Sequence, residues 1–213
     1  MFRPTMRGRI LPRLALILLV ALLVLLAVMA WHTWRLASLQ KPVTPRPGVA
    51  VNAQAAATRL GQAVQLATIW TPKDEHAAAF EALHQHLATS FPFAHKALQR
   101  QVLGRHALLY TWPGRDAQAR PVALMAHQDV VPVAPGTEGQ WQVPPFSGAV
   151  QDGYVWGRGT WDNKGALMAI MEAVEMLAQA GFQPRQTIYL AFGADEEVGG
   201  AEGAGVIAKV LQQ

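Results

Sequence analysis

Residues 122–129 read Val-Ala-Leu-Met-Ala-His-Gln-Asp, an apolar run that leads directly into a His-x-Asp pattern. A short apolar run of this kind predicts a β-strand over Val122–Ala126. A strand that ends in a histidine, with a carboxylate two residues later to orient the ring, is one way of placing a metal ligand. Taken alone the pattern is weak, because an isolated histidine is more often a structural residue. The rest of the sequence has to decide between the two interpretations.

Short apolar segments and a helical pattern alternate around this run. Further strands are predicted at Ala107–Trp112 and Thr187–Phe192. A helix is predicted over Asn163–Ala180, where apolar residues recur at helical spacing and Gly181 marks the end. A strand, a helix and a strand in succession predict a crossover connection onto one sheet. The predicted fold class is therefore α/β, with a mixed or parallel sheet flanked by helices.

Two helical patterns precede these elements, over Ala53–Ala67 and over Asp74–Ala88, and both are interpreted as scaffold. The second opens with two acidic residues, which the helix dipole favours. His84 and His86 within it do not predict a metal site, because residues two apart do not share a helix face. His106 is interpreted as a surface or loop residue.

The amino-terminal region contains an unbroken apolar run of 18 residues, Leu14–Trp31, close to the ~20 that cross a bilayer as a helix. Four arginines precede the run, and Trp34 follows at its far edge. This pattern predicts a transmembrane helix or signal anchor over residues 14–34, with the amino end in the cytoplasm. The alternative is a secreted protein whose signal peptide is cleaved after the small residues near Ala30. Either way, the rest of the chain is expected outside the cytoplasm, in a periplasmic, extracellular or lumenal space.

Charge is segregated along the chain. No acidic residue occurs before Asp74, and nine basic residues lie in the first 73 positions. Beyond that point nine basic residues face fourteen acidic ones, a balance of −5. Since an acidic domain repels a phosphate backbone, nucleic-acid binding is excluded despite the overall charge of +4. A basic tail beside an apolar helix instead suits anionic lipid headgroups.

These patterns divide the chain into four parts. Residues 1–13 form a basic cytoplasmic tail and residues 14–34 the membrane helix. Residues 35–52 form a proline-rich linker, and residues 53–213 form the α/β part. Cysteine is absent, which excludes disulfides and thiolate metal sites.

Chemically active side chains fall where a sheet would present them. His127 follows one predicted strand, Asp162 lies just before the predicted helix, and Asp195-Glu196-Glu197 follows the last strand. Ligands of open α/β folds bind outside the carboxyl ends of strands, so these groups are expected to converge. One histidine with several carboxylates suits zinc or a related divalent ion.

The adjacent glutamates strengthen this prediction, because two like charges side by side are costly to bury without a cation. In a turn their side chains point in different directions. One can therefore bind metal while its neighbour faces a metal-bound water as a base. Arg158 and Lys164, close to Asp162 in sequence, are expected to pair with acidic neighbours.

An ordered set of motifs carries a resemblance to a known family: His127-Gln-Asp-Val-Val-Pro132, Pro145-Phe-Ser-Gly148, Gly157-Arg-Gly-Thr-Trp-Asp-Asn-Lys164 and Gly193-Ala-Asp-Glu-Glu-Val-Gly-Gly200. From about Arg59 to its end, the chain resembles the di-zinc metallopeptidase family of carboxypeptidase S, aminoacylase and acetylornithine deacetylase. The carboxypeptidase S branch is the most similar. The fold implied is a zinc-exopeptidase-like catalytic domain.

The resemblance also implies roles for single residues. His127 would bind one zinc, Asp162 would bridge two, and Glu197 would bind the other, with Co²⁺ or Mn²⁺ as alternative metals. Asp129 would orient the His127 ring, and Glu196 would be the general base. The implied reaction is hydrolysis of the amide bond of small peptides or N-acyl amino acids that carry a free carboxylate.

The sequence departs from the family pattern in one respect that affects the metal site. The family completes its site with a further carboxylate and a later histidine, and no histidine follows His127 here. We therefore expect an amino-terminal part of the catalytic domain with an unfinished site, which binds metal weakly and turns over little. The family's possible homodimer would form through a domain absent from this sequence. The alternative is a non-catalytic, membrane-anchored remnant or binding protein.

Overall fold

The computed structural model describes residues 7–44 and 48–212, with side chains from residue 12 onward. The first six residues of the predicted tail and residues 45–47 of the predicted linker lie outside the described residues. The chain divides into two units, Met1–Val49 and Ala50–Gln213.

The first unit contains one helix, α1, over Arg7–Arg35. Within its segment Pro12–Arg35, an 18-residue window has a mean hydropathy of 3.1. In the described part of the chain, this is the one helix long and apolar enough to cross a membrane. Membrane insertion of this helix stays a prediction, because a signal sequence has the same length and composition.

The second unit contains a four-stranded mixed sheet and a separate two-stranded hairpin. The sheet has the order β1-β2-β6-β3, with β3 parallel to β6 and the other pairs antiparallel. The strands are β1 Gln99–Leu103, β2 Ala107–Trp112, β3 Val122–His127, β4 Ala149–Gln151, β5 Tyr154–Trp156 and β6 Ile188–Gly193, of which β4 and β5 form the hairpin.

Helices cover both faces of the sheet. They are α2 Ala53–Val64, α3 Ala77–Ser90, α4 Pro92–Ala97, α5 Lys164–Gln179 and α6 Ala204–Leu211. On one face, Tyr110 and Leu190 pack in the main core with Leu87 of α3 and Met171 of α5. On the other face, Ala191 packs in a smaller cluster with residues of β2 and α6. The strands β2 and β6 are mostly apolar, because most of their residues are buried on one face or the other. The predicted α/β class is confirmed, as a mixed sheet between two helical layers.

The chain passes from β3 through α5 to β6, and the two strands pair in parallel from Val122 opposite Ile188 to His127 opposite Gly193. Both strands therefore end at the same edge of the sheet. The residues that follow β3 and β6 lie side by side there, and the segment that enters α5 contributes a third loop.

Local differences from the predicted elements have physical causes. The helix predicted from Asp74 begins at Ala77, because Asp74 has a φ of +57° and its carboxylate instead lies 2.7 Å from Nε2 of His106. His106 lies in the turn between β1 and β2, as a loop residue, but its side chain is buried and not on the surface. The strand β1 was not predicted because it is largely polar and exposed.

Candidate metal centre

His127 is the last residue of β3, and its ring is buried with contacts on both nitrogens. Nε2 lies 2.9 Å from Oδ1 of Asp162. Nδ1 lies 3.0 Å from the backbone carbonyl oxygen of Asp129 and 3.3 Å from Oδ1 of the same residue. Asp129 therefore fixes the ring so that Nε2 faces Asp162.

The Asp129 carboxylate also reaches the neighbouring loop. It is fully buried, and its Oδ2 accepts a 3.0 Å hydrogen bond from the backbone N–H of Glu197. Burial acts to raise the pKa of Asp129, but the bond to His127 and the backbone N–H groups of Glu197 and Glu196 outweigh it and lower that pKa. One ionised carboxylate thus ties the end of β3 to the loop after β6.

Three of the side chains predicted as metal ligands come together at this edge. Each of His127, Asp162 and Glu197 offers one donor atom, and these atoms all lie within 4.8 Å of one another. Two ligands of a zinc ion at ~2.1 Å can be at most ~4.2 Å apart, so small side-chain adjustments would bring all three onto one ion. A nitrogen with two carboxylate oxygens is also a donor set that zinc accepts.

The charges of the site favour a cation. Burial and the negative charge of Asp162 raise the pKa of Glu197, because both disfavour the negatively charged form of its side chain. Burial acts to lower the pKa of His127, but its bond to Asp129, the charge of Asp129 and the bond to Asp162 together raise that pKa to about 9. In the absence of metal, a proton on His127 therefore partly balances the carboxylates, a task that a divalent ion would take over.

The side chain of Glu196 is more exposed to solvent than that of its neighbour Glu197. The Glu196 side chain is 61% exposed, and Oε2 lies 3.7 Å from Nε2 of His127. It lines an apolar cleft of about 340 Å³ together with His127 and residues of β3 and α6. Glu197 groups with His127 and Asp162, whereas Glu196 faces the cleft, and the division of roles between the two glutamates stays a prediction.

The structure also shows a supporting residue that the sequence did not single out. Asp195 is buried, and its Oδ2 accepts a 2.7 Å hydrogen bond from the backbone N–H of Glu202. The backbone carbonyl of Asp195 accepts from Val198 and Gly200. Asp195 thus shapes the loop that carries the glutamates, and in the sequence it was hidden within an acidic run.

The predicted pairing of Lys164 and Arg158 with acidic neighbours is wrong. Lys164 is 1% exposed, and its ammonium donates to the backbone carbonyls of Ala63 and Leu66 at the end of α2. The guanidinium of Arg158 lies 5.1 Å from the centre of the Trp141 ring. Lys164 thus binds two backbone carbonyl groups, and Arg158 lies over an aromatic ring. In both cases the partner comes from another part of the sequence.

Comparison with known proteins agrees with the motifs. Residues 123–213 of the chain match the sequence profile of peptidase family M20/M25/M40. Its relatives are carboxypeptidases and acyl-amino acid hydrolases, consistent with the carboxypeptidase S branch.

Two curated relatives illustrate this similarity. Carboxypeptidase S of Saccharomyces cerevisiae is 40% identical over 164 residues, which cover 73% of this chain and 28% of the relative. The N-fatty-acyl-amino acid synthase/hydrolase of Bos taurus is 40% identical over 153 residues, covering 70% of this chain and 30% of the relative. The chain thus spans less than a third of the length of these relatives.

Solved structures support the fold. Human carnosine dipeptidase 1 superposes with a TM-score of 0.58 at 20% identity, covering 75% of this chain and 35% of that one. An M20 family metallo-carboxypeptidase of Sulfolobus solfataricus gives 0.54 at 21% identity, covering 68% and 31%. The chain therefore shares the fold of about a third of each of these two peptidases.

Proposed function

We propose that the protein is a metal-dependent hydrolase of amide bonds, with His127, Asp162 and Glu197 as ligands of a divalent ion, zinc in the first instance. The observation that carries this proposal is the convergence of three donor atoms within 4.8 Å at the carboxyl edge of the sheet. Three protein ligands with an open position for water make up a catalytic zinc site. The similarity of residues 123–213 to peptidase family M20/M25/M40 supports the same chemistry.

The exposed carboxylate beside these ligands is proposed as the general base. A bound divalent ion lowers the pKa of its water and polarises the carbonyl of an amide. Glu196 lies near His127 without being its main partner, and its exposure leaves it free to accept a proton from that water. The same group would then pass the proton to the leaving nitrogen. His127 stays oriented throughout, because Asp129 holds its Nδ1 side.

The substrate class is proposed from the relatives. One is a carboxypeptidase and another acts on N-fatty-acyl-amino acids. Both names imply an amide bond next to an amino acid. We therefore propose small peptides or N-acyl amino acids as substrates. A second zinc bridged by Asp162, and a homodimer, remain predictions from the family resemblance.

The amino-terminal helix is proposed as a membrane anchor that holds the second unit outside the cytoplasm. Its hydropathy over Pro12–Arg35 and the arginines before it support this topology. Carbonate extraction of membranes tests it: an anchored protein stays in the pellet with α1 intact. Recovery of a soluble form that lacks α1 would favour the cleaved-signal alternative.

Hydrolysis by the purified full-length protein tests the proposed reaction. With added Zn²⁺ we expect release of amino acid from an N-acyl amino acid or a dipeptide, and Glu196→Gln should lower kcat by about 100-fold or more, as expected when a general base is lost. Glu81→Gln, an exposed change on α3, is the matched control and should keep full activity. Undiminished activity in Glu196→Gln would refute the assignment of the base. Metal binding without turnover in the wild type would favour the non-catalytic alternative.

A further inference from the structure

Gln128 lies between two residues of the candidate site, His127 and Asp129, and its side chain is fully buried. The side-chain Nε2 donates to the backbone carbonyls of His106 at 2.9 Å and Phe192 at 3.0 Å, with that of Gly193 at 3.3 Å. These carbonyl oxygens fix the orientation of the amide, because an oxygen in place of the nitrogen would face other oxygens.

The other end of the Gln128 amide points to a helix. Its Oε1 lies 2.8 Å from Nε2 of His84, on α3. Because Oε1 can only accept, His84 must donate through Nε2. Burial lowers the pKa of His84, so its ring is neutral at pH 7 and adds no positive charge behind the cation site.

The backbone of Gln128 is held as firmly as its side chain. Its N–H donates to the carbonyl of Gly193 at 2.8 Å, and its carbonyl accepts from Oγ1 of Thr68 at 2.6 Å. Gln128 therefore joins the ends of β3 and β6 to α3 and to the loop after α2. The ends of β3 and β6 carry the ligands His127 and Glu197, so the separation of these ligands depends on this junction.

We propose that Gln128, held by His84, is a positioning residue that sets the geometry of the metal centre without touching the ion. This inference rests on the proposed function, since it presumes that His127 and Glu197 bind a divalent ion. The amide is suited to the position because it offers N–H groups to the carbonyls and an oxygen to His84. Neither Glu nor Met can supply both.

Co²⁺ binding to the full-length protein tests this inference, because its visible absorption reports the geometry of the ligands. We expect Gln128→Met to alter the Co²⁺ spectrum and to weaken Zn²⁺ binding by about 10- to 100-fold, the range found when the outer partners of metal ligands are lost. His84→Phe should change the spectrum in the same direction. His84→Gln, whose amide can still donate to Oε1, should restore much of the affinity.

Tyr110→Phe is the matched control. It removes another buried hydrogen bond of the sheet, from Tyr110 Oη to Nε2 of His95 at 3.1 Å, without contact to the donors. We expect this variant to lose stability but to keep the wild-type spectrum and Zn²⁺ affinity. The comparison separates a positioning role from a general loss of packing.

Two results would count against the proposal in different ways. If Gln128→Met and His84→Phe keep the wild-type Co²⁺ spectrum and affinity, the positioning role is refuted while the proposed metal site stands. If Gln128→Met does not fold, His84→Phe decides the question alone. If the wild type itself binds neither Co²⁺ nor Zn²⁺, the proposed function fails, and the inference fails with it.

Discussion

Asp129 and Glu197 are joined across 68 residues by a 3.0 Å hydrogen bond from a backbone N–H to a buried carboxylate oxygen. The other oxygen of the same carboxylate lies 3.3 Å from Nδ1 of His127. One side chain therefore orients a candidate metal ligand on β3 and anchors the loop that carries another. This relationship makes Asp129 the residue whose loss should affect the site most without removing a ligand.

Replacing Asp129 tests that role. Asp129→Ala should leave the Glu197 N–H without its partner, at a cost of about 1–3 kcal/mol for a buried group left unpaired. It should also remove the carboxylate from the Nδ1 side of His127, whose ring keeps only the backbone carbonyl of residue 129. Asp129→Asn keeps one oxygen and should be milder in both stability and Zn²⁺ affinity. Thermal unfolding and zinc titration of the two variants provide the measurement. Equal affinity in the wild type and Asp129→Ala would show that the ring needs no such partner.

The pKa of His127 predicts how the metal-free protein responds to pH. In the fold that pKa is about 9, against ~6.5 in an unfolded chain. Because the folded value is raised, the stabilisation is complete below pH ~6.5 and is lost as the pH rises through about 9. With EDTA present, the stability advantage of the wild type over His127→Gln should shrink over this range. Apparent Zn²⁺ affinity should rise over the same range, since the ligand must lose its proton. A flat affinity would contradict this account.

The pKa of Lys164 predicts that its contribution to stability changes with pH in the opposite direction. Burial lowers its pKa to about 7 from its usual value of 10.5. Between these values the unfolded chain binds more protons than the folded one, so the contribution of Lys164 to stability improves as pH rises. The free energy of unfolding of the wild type, minus that of Lys164→Met, should therefore increase from pH 7 to pH 10. Chemical denaturation at a series of pH values measures this difference, and a constant value would rule out the lowered pKa.

A larger residue at Gly203 is expected to clash with the loop after β6, which carries Glu196 and Glu197. A Cβ at this position would lie 2.3 Å from Oδ1 of Asp195 and 2.8 Å from the backbone N of Ala194. Gly203→Ala should therefore displace the loop and weaken Zn²⁺ binding. Gly139→Ala is the control, because a Cβ there meets nothing within 4 Å. Indistinguishable zinc titrations for the two variants would show that the loop absorbs the extra methyl group.

An ion pair away from the metal centre is expected to contribute to the stability of the fold. Arg59 on α2 binds both oxygens of Glu172 on α5 at 2.6 and 2.7 Å, and both side chains are largely buried. A double-mutant cycle should give a coupling of about 1–3 kcal/mol for this charge-assisted, bidentate pair. The exposed pair of Arg185 and Asp116 should give about 0–1 kcal/mol. Coupling of similar size in both pairs would contradict the role assigned to burial.

Sequence patterns predicted those parts of the fold whose signal is local. The strands β2, β3 and β6 and the helix α5 were found because apolar runs and helical spacing mark them directly. His127, Asp162 and Glu197 were singled out because strand ends and motifs mark their positions. Their convergence was inferred from sheet topology, and the structure places one donor atom of each within 4.8 Å of the others. Their role as metal ligands stays a prediction.

Other features depend on contacts between distant residues, which no local pattern records. The partners of Lys164 are carbonyls about a hundred positions earlier, and those of Gln128 come from α3, the turn before β2 and the end of β6. Both side chains are polar, so no local pattern predicted their burial. The short helix α4 and the hairpin of β4 and β5 were likewise missed, because short elements carry little periodicity.

Zinc binding by the full-length protein and its single-ligand variants tests the central claim most directly. Equilibrium dialysis of the wild type should show Zn²⁺ bound to each chain, and His127→Ala, Asp162→Ala and Glu197→Ala should each abolish or strongly weaken that binding. His76→Ala, a histidine whose side chain makes no capping bond at the start of α3, should bind as the wild type does. Zinc binding that survives all three ligand changes, or a wild type that binds none, would contradict the assignment of this edge of the sheet as a metal centre.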